Sequence, residues 1–117
     1  MPAPVWKDHP ESHDFPAALD YLDLLLSPQE AGEAVARLKQ APTVVKKAKD
    51  ILRSSDLPLL PQENRHVAEN IRKVRNGERL SPVLLLRGQP LVIADGYHRV
   101  CAVYYLSEDL EVPCRLA

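Results

Sequence analysis

Three side chains with chemistry to offer stand directly behind a glycine. In IADGYHRVCA, residues 93–102, Gly96 is followed by Tyr97, His98 and Arg99. An apolar, strand-like run leads into Asp95-Gly96, and helix-like sequence follows it. A helix that starts here leaves its first backbone N–H groups without partners, and with the positive end of the helix dipole they form an anion site. Glycine lets an anion approach the backbone closely. Arg99 could grip two oxygens with its planar fork, while His98 could donate a hydrogen bond or shuttle a proton. Cations at a helix N-terminus are unfavourable by ~0.3–1 kcal/mol each, and a bound phosphate would remove that conflict. The competing reading is plainer: Asp-Gly is a common turn, Asp95 caps the helix, and His-Arg is ordinary surface.

The elements that must position these groups follow from spacing. Four prolines in the first sixteen residues make an irregular arm. Phe15 to Leu26 places Ala18, Leu22 and Leu25 on one side, which predicts a helix. Ser27-Pro28-Gln29-Glu30 supplies a helix start, with Ser27 as cap, and Ala31, Ala34, Val35 and Leu38 continue at helical period. After Ala41-Pro42-Thr43, the residues Val44, Val45, Ala48, Ile51 and Leu52 predict a third helix with a basic outer face. Residues 54–61 form an extended, proline-containing connector. Asn64 to Asn76 predicts a fourth helix, stopped by Gly77. Then the period changes. Pro82–Leu86 and Leu91–Ala94 predict a β-hairpin, Tyr97–Ser107 a helix, and Glu111–Leu116 a last strand, at a sheet edge or with its Pro113 N–H side unpaired. The class is therefore α+β: one domain over 1–117, with a helical extension over 1–53 and a strand-strand-helix-strand core over 54–117.

Composition limits the partners. The chain has 117 residues, 45% of them hydrophobic, enough for a real core. Its longest apolar run, Val100–Leu106, is far below the ~18–20 residues of a membrane span, so no membrane partner is expected. The N-terminus has no basic start followed by an apolar stretch, so no signal peptide is expected. Cys101 and Cys114 sit in apolar segments without a secretory context, which points to inert thiols in a reducing cytoplasm. Net charge is −1, but residues 1–38 carry seven acidic and two basic side chains, and residues 39–79 carry ten basic and five acidic. With a pI near 6.4 the chain falls short of the basicity, above about 9, of a dedicated nucleic-acid binder. His9 and His13, four apart between Asp8 and Asp14, have metal-like spacing only on a helix, and the flanking prolines argue against one, so no metal site is expected there. Trp6 and Phe15 are expected to pack the arm onto the domain. Tyr104 and Tyr105, in an apolar helix, are expected to be core rather than base-stacking residues.

The hairpin, the Asp95-Gly96-Tyr97-His98-Arg99 turn, Ala102 one turn on and the final Val112-Pro113 strand resemble the ParB N-terminal/sulfiredoxin superfamily. The Asn64-Arg65 helix leading to Ser81-Pro82-Val83 fits the same order, so the resemblance spans roughly residues 54–117. It implies that Gly96, His98 and Arg99 hold nucleotide phosphates, with Asp95 as the preceding acidic position and Tyr97 inside the element. Sulfiredoxins need a cysteine before the His-Arg pair. This chain has Tyr97 there, so sulfiredoxin activity is not expected. Nor is chromosome partitioning, since no helix-turn-helix follows the last strand. A kinase branch of the fold transfers phosphate to a small hydroxyl with a glutamate base. On the fourth helix Glu63, His66, Asn70 and Lys73 fall along one flank, Glu69 pointing elsewhere, and superfamily members use this helix to touch the terminal phosphate or second substrate.

The expected function is thus binding of a nucleotide (ATP, ADP, CTP) or phosphorylated small molecule at Asp95–Arg99, with His66 and Asn70 nearby. NTP hydrolysis or phosphotransfer would use Glu63 and His98, with Mg²⁺ bridging phosphates and Asp95 or Glu63 in support. The alternatives are a non-catalytic interaction module using the acidic N-terminal helices and, last, a ParB-like nuclease, for which the sequence shows no carboxylate cluster. Those helices would cover a sheet face or, alternatively, form a homodimer.

Overall fold

In the computed structural model, which describes residues 5–117, the helix start at Ser27 is present in full. The Ser27 hydroxyl accepts from the Glu30 N–H at 3.2 Å, and the Glu30 carboxylate accepts from the Ser27 N–H at 3.3 Å. This box opens α2 (Pro28–Gln40), which buries Ala31, Ala34, Val35 and Leu38 as its spacing predicts. Before it, α1 (Asp14–Leu22) buries Ala18 and Leu22. The helix stops at Leu22, so Leu25, expected inside, is exposed instead. Residues 1–4 of the proline-rich arm lie outside the described residues.

The segment after Pro42 departs from expectation. The apolar period read as one helix from Val44 to Leu52 is split into β1 (Thr43–Lys47) and α3 (Ala48–Ser55). Thr43, Val44 and Val45 are β-branched, and the last strand of the chain, β4 (Glu111–Leu116), offers them a side to pair with. Val44 lies opposite Cys114 and Val45 opposite Pro113 in an antiparallel ladder. The N-terminal segment is therefore not wholly helical. It contributes a strand to the sheet.

Asn64 caps α4 (Arg65–Arg75), accepting from the N–H groups of His66 and Val67. The helix ends at Gly77, whose φ of 81° allows two closing bonds, Gly77 N–H to Val74 O and Glu78 N–H to Lys73 O. Then β2 (Val83–Leu86) and β3 (Val92–Asp95) form the expected hairpin, followed by α5 (Tyr97–Leu106) and β4. The molecule is α+β, with strand-strand-helix-strand behind α4. Sheet order is β1-β4-β2-β3, and β4 runs parallel to β2. The edge position considered for β4 is thus corrected: it is an inner strand. Its ladder with β2 begins only at Cys114, opposite Val83, so on that side the missing N–H of Pro113 forgoes no bond.

Alternation along the strands divides the core between two sheet faces. Val83, Leu85 and Ile93 cluster with Ile51 of α3, Val67 and Ile71 of α4, and Val100 and Val103 of α5. Leu84 and Ala94 cluster with Ala18 and Leu22 of α1 and with Ala31, Ala34, Val35 and Leu38 of α2. The N-terminal helices thus cover a sheet face. Trp6 and Phe15 pack onto the domain as expected, Trp6 on the first cluster and Phe15 on the second, and the Trp6 indole N–H donates to the Glu111 carbonyl at 3.0 Å. Among the described residues no helix is long and apolar enough to cross a membrane.

Candidate functional site

The turn joins the end of β3 to the start of α5, between the two helical layers. Gly96 is the residue before the first turn of α5, at φ 109°, and no side chain caps that helix end. A Cβ at this position would come within 2.4 Å of Val83 Cγ1 and 2.9 Å of Arg99 Nη2. Glycine is therefore required by the backbone and by packing against β2, whether or not an anion approaches.

Arg99 is turned into the protein. Its Nη2 donates to Asp95 Oδ2 at 3.0 Å and to the Pro82 carbonyl at 3.3 Å, and the two charged side chains are only 16% and 18% exposed. Asp95 accordingly pairs with Arg99 instead of capping α5. The conflict between a cation and the helix dipole is relieved within the chain, without a bound phosphate. Arg99 Nε is buried with no hydrogen-bond partner among the described residues. Burial pushes the Asp95 carboxyl above its ordinary value, Arg99 pulls it back, and the neighbouring Asp14 carboxylate pushes it up again.

His98 is half-buried. Its ring centroid stands 4.9 Å from that of His66, tilted by 58°, and 5.7 Å from that of Tyr97. Burial holds His98 below the ordinary 6.5, and the charges of His66 and Arg99 push the same way. Of the polar flank read on α4, His66 is therefore brought against the turn. The Asn70 amide donates to the His66 carbonyl at 2.9 Å, one turn back along its own helix. Glu69 pairs loosely with Arg72 at 4.0 Å. Glu63 precedes the Asn64 cap, outside α4, and is exposed; its charge acts on the Tyr105 hydroxyl.

The tyrosines have a role that sequence reasoning missed. Tyr97 donates its hydroxyl to the Pro58 carbonyl, and Tyr105 donates to the Leu60 carbonyl at 2.6 Å. Together they fasten the proline-containing connector over α5. Both rings of Tyr104 and Tyr105 pack on the core, as expected. Cys101 and Cys114 are buried and free, and burial pushes both thiols up, Cys114 to about 11, which disfavours the thiolate.

A cavity of about 430 Å³ opens beside Gly96, walled by Ala17 and Tyr21 of α1, Leu57 of the connector, and Ile93, Tyr97 and His98. A slightly larger one, about 460 Å³, lies elsewhere and is lined by Lys46, Arg53 and Arg87, with Asp50 from the first turn of α3; no histidine lines it. The structure also gathers ligating side chains at the entry to α1 and brings one of them to the turn. Asp14, Glu11 and His13 converge, and Asp14 adjoins Asp95. Asp14 and Ser81 are hydrogen-bonded across 67 positions of sequence, a separation no local pattern reveals. No family model matches the chain, and neither a curated protein nor a solved structure shows significant similarity to it.

Proposed function

We propose that the chain is a phosphate-ligand-binding domain akin to the ParB N-terminal/sulfiredoxin superfamily, taking a nucleotide or phosphorylated small molecule at the start of α5. The observation that supports this is the uncapped α5 N-terminus at a cavity of about 430 Å³ that His98 lines, with His66 against His98. That volume is within the range of small-ligand sites. Free N–H groups of the first turn would take phosphate oxygens, and His98 would donate one further hydrogen bond. Arg99 serves here as a positioning residue: it holds Asp95 and fixes the turn. Of the two residues expected to catalyse, His98 is the one at the helix start, where burial disfavours its charged form and a neutral ring can accept a proton. Asp95 already has a resident cation in Arg99 and does not fit as a Mg²⁺ ligand. A reducing cytoplasm is the compartment that two buried free thiols suit.

Calorimetric titration with ATP, ADP, CTP and GTP tests the reading. Heat is expected with at least one of them, and His98→Ala should weaken that binding about tenfold, the effect of ~1.4 kcal/mol for a lost charge-assisted bond. A Lys46→Ala/Arg87→Ala variant at the other cavity should bind normally. No heat with any nucleotide, or a loss confined to the Lys46/Arg87 variant, overturns the proposal.

A second reading rests on a different surface. Leu19, Tyr21, Leu24 and Leu25, at the end of α1 and just beyond it, are exposed, Leu24 by 82%. Such a patch suits a protein-interaction module or a homodimer. Light scattering that finds only monomer at high concentration removes the homodimer.

A further inference from the structure

The strongest cluster of ligating groups outside the turn stands at the entry to α1. Glu11 and Asp14 are locked in a tight turn: the Asp14 N–H donates to the Glu11 carbonyl at 3.0 Å, and the Glu11 N–H donates back to Asp14 Oδ2 at 2.9 Å. Ser81, just before β2, donates its hydroxyl to the same Oδ2. Both of these bonds therefore fall on one oxygen, leaving Asp14 Oδ1 turned toward His13, whose Nε2 is 3.5 Å away. His13 Nε2 is also 3.1 Å from Glu11 Oε2, while Glu11 Oε1 takes Lys7. One ligand atom from each of Glu11, His13 and Asp14 thus lies within 4.8 Å of the others.

Two features separate this from a chance surface cluster. The first is spacing. Ligands about 2.0–2.1 Å from a tetrahedral zinc ion are about 3.3 Å from one another; the two carboxylate oxygens stand 3.1 and 3.5 Å from His13 Nε2 and within 4.8 Å of each other. The second is the burial of one ligand. Asp14 is only 2% exposed, and among the described residues the one basic side chain within 4.0 Å of it is His13. Asp95, another carboxylate, adjoins it on the other side, where Arg99 is engaged by Asp95. With the Glu11 N–H and the Ser81 hydroxyl both on Oδ2, the buried carboxylate is fixed so that Oδ1 faces the imidazole.

We propose that Glu11, His13 and Asp14 form a binding site for one divalent transition-metal ion, zinc by ligand type, with Ser81 holding the Asp14 carboxylate in place from behind. An imidazole with two carboxylates suits zinc better than Mg²⁺ or Ca²⁺, which take oxygen ligands. Three protein ligands leave a fourth position open for water or an anion. The site does not depend on phosphate binding at α5, since it shares none of the residues proposed to touch the phosphate.

Titration of the intact, metal-stripped chain with ZnCl₂ tests this by calorimetry. One Zn²⁺ per chain is expected. His13 is largely exposed, so His13→Ala should keep the fold, checked by circular dichroism, and should weaken binding by roughly 100-fold, at least the loss seen when an outer-shell partner is removed. His9→Ala, four residues away, and His98→Ala, which removes the other histidine pair, should each bind as the wild type does. Absence of zinc binding would mean that the cluster is an ion pair only and would overturn the proposal. So would an affinity unchanged in His13→Ala, or one lost in His9→Ala or His98→Ala.

Discussion

Gly96 and His98 carry the two residue-scale expectations. A Cβ at Gly96 meets Val83 at 2.4 Å on a backbone already at φ 109°, so Gly96→Ala combines overpacking with a disfavoured conformation. The cost should be roughly 1–3 kcal/mol, read as a lower urea midpoint at unchanged slope. An unmoved midpoint would show that β2 yields without effort. For His98 the folded protein disfavours the charged ring, so in acid the unfolded chain binds the proton first. Stability should therefore be flat above pH 6.5 and fall as pH drops from 6.5 through the lower folded value. His98→Gln should flatten that limb in urea melts across the range. A bound phosphate favours the charged ring, so nucleotide affinity should rise as pH falls through the same window.

At the scale of elements, the ends of helices were readable and the middle of the chain was not. Ser27-Pro28-Gln29-Glu30 announces α2 because a capping box is wholly local, and Ser27→Ala should cost about 1 kcal/mol in thermal or urea unfolding. A negligible change would mean that α2 is held by its buried face alone. The same locality made Asn64, Gly77 and the β2–β3 hairpin legible. The split of Val44–Leu52 into β1 and α3 was not, because Val44, Val45, Ala48, Ile51 and Leu52 satisfy a helical period. What decides is β4, some seventy residues later, whose free side takes Thr43–Lys47 as a neighbour. On α4 the helical spacing set His66 on a polar flank, and the fold lays that residue against His98. Glu63 was misplaced by the same wheel, since the Asn64 cap begins the helix after it.

For the whole molecule, the N-terminal half is structural as well as acidic. Leu84 and Ala94, at 0% and 4% exposure, owe that burial to α1 and α2. A chain shortened to residues 43–117 would bare this sheet face, a patch of the kind that drives association. It should lose cooperative unfolding by circular dichroism or aggregate, whereas a monomeric, cooperatively folding fragment would show that the sheet stands without its cover. The α1 helix also walls the cavity at Gly96 through Ala17 and Tyr21 and sets Asp14 beside Asp95. The N-terminal segment thus supplies one wall of the cavity at the start of α5.

The sequence by itself determined the α+β class, four of the five helices, the hairpin, the buried cysteines and the helix start behind Gly96. All of these rest on spacing within a few residues. Only the tertiary structure decided what Asp95, Arg99 and Asp14 do. The sequence offered Arg99 to a ligand; the fold gives it to Asp95 and the Pro82 carbonyl, while Asp14 reaches Ser81 across the chain. Charge compensation in a low-dielectric interior is settled by whichever groups the fold brings within 3–4 Å, and that proximity is written nowhere in local spacing.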